Sequence, residues 1–126
     1  KLLRKHSLGQ RASALILFIL TQNNNDIIII DQPEDDLDNK VIYDEVISSI
    51  FKTKPNVQFI FATHNANIPV LGDAERVLVV NFRESDIEVS QGNIDMLDTQ
   101  KQIIDIMEGG REAFDKRKMI YTSWRT

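Results

Sequence analysis

The chain has 126 residues with no cysteine and a net charge of −4, with 42% apolar and 27% charged positions. That is one domain's worth of sequence, able to bury roughly 60% of its unfolded surface. The composition excludes a disulfide frame, a thiolate metal site and a whole-protein basic field for nucleic acid.

In chain order, "LGQRASALILFILTQ" (8–22) carries apolar side chains around most of a helical circumference and predicts a buried helix. Its apolar core is too short to cross a bilayer, so no membrane partner is expected and a cytoplasmic setting suits the missing cysteines. "NNND" (23–26) reads as a turn. Ile27–Ile30 is a β-branched run without alternation, the pattern of a parallel strand covered on both faces. Residues 39–51 repeat apolar positions at helical spacing, and "VQFIFAT" (57–63) is a second strand. "VLVVNF" (77–82) makes a third, so strand, helix and strand follow with short links. "DIEVS" (86–90) alternates like an edge strand, and 96–107 is an amphipathic helix stopped by Gly109-Gly110. The segment 109–126 is expected to be partly helical and partly flexible. The fold class is α/β, a mostly parallel sheet flanked by helices, in a single domain.

Five carboxylates crowd the eight positions after the isoleucines: Asp31, Glu34, Asp35, Asp36 and Asp38. In an open parallel sheet ligands bind beyond the carboxyl ends of the strands. Asp31 ends the first strand and His64 follows the second, so both are expected at one edge. A carboxylate there suits Mg²⁺ held through water, and a histidine there can donate to a phosphate oxygen. The other reading is that these acids favour the N-terminus of the following helix, and for Asp35, Asp36 and Asp38 the two stand level. Ser7 and Gln10 have capping-box spacing, which is compatible with a phosphate cradle at the same helix start. Lys1, Arg4, Lys5 and Lys116–Lys118 read as solvated charge, and Tyr121 and Trp124 as packing residues.

"SLGQR", "IIIIDQPEDDLD" and "FIFATH", in that order, resemble the C-terminal half of an ABC-type P-loop ATPase of the SMC, RecF and SbcC kind. "IDQPEDDLDN" and "FIFATHNANIPVLGDAE" further resemble TrlF-type AAA-like ATPases. The resemblance implies that Ser7, Gly9 and Gln10 form a signature loop touching ATP held by the opposite subunit. It implies that Asp31 is the Walker B aspartate holding Mg²⁺ through water. Asp36, Leu37 and Asp38 would form the D-loop along a dimer interface, and His64 the switch histidine.

The residue after Asp31 is normally a glutamate; here it is Gln32. An amide can orient a water but cannot take its proton. Three outcomes stay open: Gln32 supports slow hydrolysis, Glu34 or Asp35 supplies the base, or the site clamps ATP without turnover. No G-x-x-x-x-G-K-[ST] loop is present, and the chain begins "KLLRKHSLGQ" without methionine. It therefore reads as the later part of an ATPase whose Walker A half, the first partner implied, lies elsewhere. A homodimer and nucleic acid bound through other segments complete the implied partners, with repair or defence as the setting. Two other classes remain: an interaction module, and a Toprim-like nuclease using Asp36 and Asp38 on a metal.

Overall fold

Ser7 opens the first helix by the mechanism its spacing predicts. Its hydroxyl accepts from the Gln10 N–H, and the Gln10 side chain accepts from the Ser7 N–H. The computed structural model describes residues 7–22 and 24–124; Lys1, Arg4 and Lys5 lie outside them. Helix α1 runs Leu8–Leu20. Strand β1 (Ile27–Asp31) leads through a 3₁₀ turn (Pro33–Asp35) into one continuous helix. That helix comprises α2 (Asn39–Val41), a π-helical stretch (Ile42–Ile47) and α3 (Ser48–Thr53). Strand β2 (Gln58–Ala62) pairs parallel to β1, Ile27 opposite Gln58 and Asp31 opposite Ala62. A second π-helical turn, Asn67–Leu71, ends this first compact unit, which extends to Gly72.

The core of this unit sits on one face of the parallel pair. Leu20, Leu37, Ile42, Val46, Ile47, Ile50 and Ile68 cluster there, with Ile16, Leu17, Ile30, Phe59 and Phe61 packed against them. Thr53, buried in the same region, donates its hydroxyl to the Leu20 carbonyl and satisfies both groups. The opposite face is bare: Ile29 is 72% and Ile27 52% exposed, alongside Ile60. The run of isoleucines thus differs from the two-sided burial expected of it. Only Ile28 is fully buried, because among the described residues the helices of this unit pack on a single side. Helix α1 is likewise covered on one side only, leaving Leu15 and Phe18 exposed.

The third strand also departs from expectation. β3 (Val77–Arg83) pairs antiparallel with β4 (Asp86–Gly92), so the parallel sheet holds two strands rather than three. Two residues connect β3 to β4, with Glu84 in the left-handed region at φ 55°; so short a link permits only antiparallel pairing. One hairpin face turns Val79 inward, where Ser90 donates to the Gln102 side chain of α4 (Leu97–Met107). Gly92 meets α4 closely: a Cβ there would collide with the Thr99 hydroxyl, so only glycine fits. α4 stops at Met107, and Gly109 just beyond it lies in the left-handed region at φ 77°, as the glycine pair predicts. Helix α5 (Arg111–Ser123) then turns back, pinned by the Arg117 guanidinium donating to the carboxylate and carbonyl of Glu108. Residues 73–126 form the second compact unit. Among the described residues no helix is long and apolar enough to cross a membrane.

Candidate functional site

The two parallel strands end together. Asp31 is the last residue of β1, directly opposite Ala62, and the Gln32 N–H extends the ladder to the Ala62 carbonyl at 2.7 Å. His64 follows two residues beyond Ala62, so Asp31 and His64 stand at the same carboxyl edge. The Asp31 side chain is exposed and takes part in no hydrogen bond or ion pair among the described residues.

Gln32 then bends the chain. Its backbone lies at φ 48°, ψ 60°, a left-handed conformation that costs a non-glycine residue roughly 1 kcal/mol. The bend sets the buried Pro33 as first residue of the 3₁₀ turn and swings Glu34 toward the end of β2. There Glu34 accepts two hydrogen bonds, one from the Thr63 hydroxyl and one from the His64 N–H, each 2.8 Å. The Thr63 oxygen in turn accepts from the Asn65 N–H at 3.0 Å. A second tie lies beside the first, where the Asn65 amide donates to the Asn39 side-chain oxygen at 2.8 Å. The loop after β2 is therefore buttoned twice to the segment after β1. Thr63, Asn39 and Asn65 were not singled out from sequence. The short "ATHNAN" run of polar residues directly after an apolar strand is the only signal that marks them.

Burial alone would raise the Glu34 carboxyl pKa. The hydrogen bonds from His64, from its own amide and from Thr63, with the charge of His64, outweigh burial and hold it below its ordinary 4.5. A folded-state pKa below the unfolded one means that folding favours the ionised form. Its contribution is then complete above about 4.5 and is lost as pH falls through the folded value. The stability advantage of wild type over Glu34→Gln is accordingly expected to be largest near neutrality and to shrink on acidification. Urea midpoints of both proteins across the acid range would check it; a pH-independent difference contradicts it.

The remaining candidates fall in other roles. Asp38 caps the following helix, its carboxylate accepting from the Val41 N–H at 2.9 Å. Leu37 is buried in the core, whereas Asp35 and Asp36 are exposed. Ser7 and Gln10 close the α1 capping box, with Gly9 in its first turn. Among the described residues no three His, Cys, Asp or Glu side chains gather as a metal cage. One unengaged carboxylate fits Mg²⁺, which keeps most of its waters and binds one or two carboxylates plus phosphates. Of the two aspartates a nuclease site would need, Asp38 already has one carboxylate oxygen on the Val41 N–H.

Among known proteins, no family model matches the chain and no curated protein matches it. A solved structure does, from work on ATP-driven dimerization and DNA-stimulated activation of SMC ATPases. It superposes with a TM-score of 0.61 at 20% identity, covering 88% of this chain and 67% of that one. What the two share is a fold: mixed α/β, with helices on a small parallel sheet, similar to an SMC ATPase domain.

Proposed function

We propose that this chain forms the Mg²⁺ and γ-phosphate edge of an ABC-type ATPase of the SMC kind, closest in character to TrlF-type proteins. The observation that carries the reading is the delivery of an unengaged carboxylate, Asp31, and an exposed imidazole, His64, to one end of a parallel strand pair. Asp31 holds Mg²⁺ through water, and the cation, when bound, neutralises charge developing on the phosphate oxygens. His64 donates a hydrogen bond to a γ-phosphate oxygen. Gln32 orients the attacking water, whose proton passes to a phosphate oxygen because the amide cannot take it. Ser7, Gly9 and Gln10 touch the nucleotide of a second subunit, and Asp36, Leu37 and Asp38 run along the dimer interface.

The phosphate-wrapping loop comes from polypeptide outside these residues. The bare face of Ile27, Ile29 and Ile60 supports this, since parallel strands are normally covered on both sides. That apolar face is where the Walker A half would dock. Nucleic-acid processing, in repair or defence, belongs to other segments of the same protein.

A second reading is an ATP-dependent clamp that barely hydrolyses. It gains support from Gln32, which cannot take a proton, and from Glu34, whose carboxylate is engaged by Thr63 and His64.

The chain alone is expected to show no submillimolar affinity for Mg-ATP by calorimetry. Joined to its Walker A half, it is expected to dimerise with ATP, measured by light scattering. Tight binding by the chain alone, or a monomer in saturating ATP, would overturn the proposal; phosphate release separates slow hydrolysis from a clamp.

A further inference from the structure

We propose that Glu34 is a positioning residue for His64. It fixes the loop after β2 and holds the Nδ1 side of the imidazole, so that Nε2 is the atom offered at the carboxyl edge. What Nε2 meets there rests on the ATPase reading; the positioning itself does not.

The geometry is lopsided in an informative way. The Glu34 side chain is 10% exposed and that of His64 62%, so the ring is anchored at one side and open at the other. Oε1 accepts from the His64 backbone N–H at 2.8 Å and lies 3.5 Å from Nδ1. Oε2 accepts from the Thr63 hydroxyl. A carboxylate offers about four acceptor positions, and three here face consecutive parts of one loop. The 3.5 Å contact acts through charge: an unprotonated Nδ1 would set its lone pair toward the anionic Oε1, whereas a proton on Nδ1 is attracted to it. The neutral ring therefore carries its proton on Nδ1, and the imidazolium adds one at Nε2, where it can be donated to a phosphate oxygen. This is the orienting role that a carboxylate beside a functional imidazole plays in other sites, where the bond at one ring nitrogen decides what the other does. The lowered Glu34 pKa agrees with the arrangement, because an anionic acceptor is what it needs.

The test reads the tautomer directly, by ¹⁵N NMR of the ring in this chain, with His64→Gln assigning the signals. The neutral His64 ring is expected to be mainly the Nδ1–H form, and Glu34→Ala to move it to mainly Nε2–H. Should Glu34→Ala fail to fold, Glu34→Met, similar in length but without an acceptor, takes its place and is expected to give the same shift. Thr63→Val keeps the Glu34 Oε1 contact and is expected to leave the tautomer as in wild type. An unchanged tautomer in the Glu34 variant, or an equal change in Thr63→Val, overturns the positioning role. In the assembled ATPase, Glu34→Met is expected to lower kcat about tenfold with KM within about twofold. A tautomer change with unaltered kcat would leave the positioning standing and remove His64 from the ATPase reading.

Discussion

Asp31→Asn in the assembled ATPase is expected to lower Mg²⁺-dependent phosphate release by on the order of 100-fold or more, a loss of about 3 kcal/mol of transition-state stabilisation. The substitution keeps the size and shape of the side chain at the end of β1, where Asp31 is exposed and engages no partner among the described residues. Nothing in the core depends on it, so folding should be unaffected. What changes is charge, since an amide oxygen binds the waters of Mg²⁺ far more weakly than a carboxylate. The comparison with Asp35→Asn is the discriminating one. Asp35 is also exposed but stands in the 3₁₀ turn rather than on the strand end, and its replacement should cost far less. Equal losses in the two variants would mean that the general negative charge of the segment matters, and not the position of one acid.

The second large effect concerns the core. Leu20→Ala and Ile42→Ala are each expected to destabilise the first unit by about 3 kcal/mol, within the usual range for emptying a fully buried site. Both residues are 0% exposed, and they lie in the same cluster although one is on α1 and the other in the π-helical stretch after α2. Their removal should leave cavities that the surroundings fill poorly. Glu45→Ala, on the exposed side of that same stretch, should stay within about 0.5 kcal/mol. Chemical denaturation of the three variants checks the series. Losses below about 1 kcal/mol at both buried sites would mean that the cluster is loosely packed.

Helix and strand positions were legible wherever a local rule decided them. The Ser7–Gln10 spacing foretold its capping box, Gly109-Gly110 foretold the end of α4, and the apolar runs foretold β1 and β2. What stayed hidden depended on partners distant in sequence. Four isoleucines look alike whether one face or two is covered, and nothing local distinguishes Ile28, 4% exposed, from Ile29, 72% exposed. The apolar β-branched residues of the third strand say nothing about which neighbour it chooses. The turn at Glu84 and Ser85 makes that choice.

The candidate site divides the same way. Asp31 and His64 stand out in sequence because one ends an apolar strand and the other follows the next by two residues. Glu34 was assigned a chemical role on its nearness to Asp31 in sequence. Its actual commitments, to Thr63 and His64, lie 29 and 30 residues away and emerge only when the two strands align. By sequence alone Asp38 suits metal binding and helix capping equally, and its bond to the Val41 amide favours the cap.

Among the described residues each sheet has two strands, so each strand leaves one side of its backbone without a ladder partner there. Beside those edges lie Ile27, Ile29 and Ile60 in one sheet and Leu78, Val80, Phe82, Ile87 and Val89 on one face of the other. Such surfaces recruit whatever strand arrives first. Produced in the same cell as a covering partner, the polypeptide should therefore reach a higher soluble yield than when produced by itself.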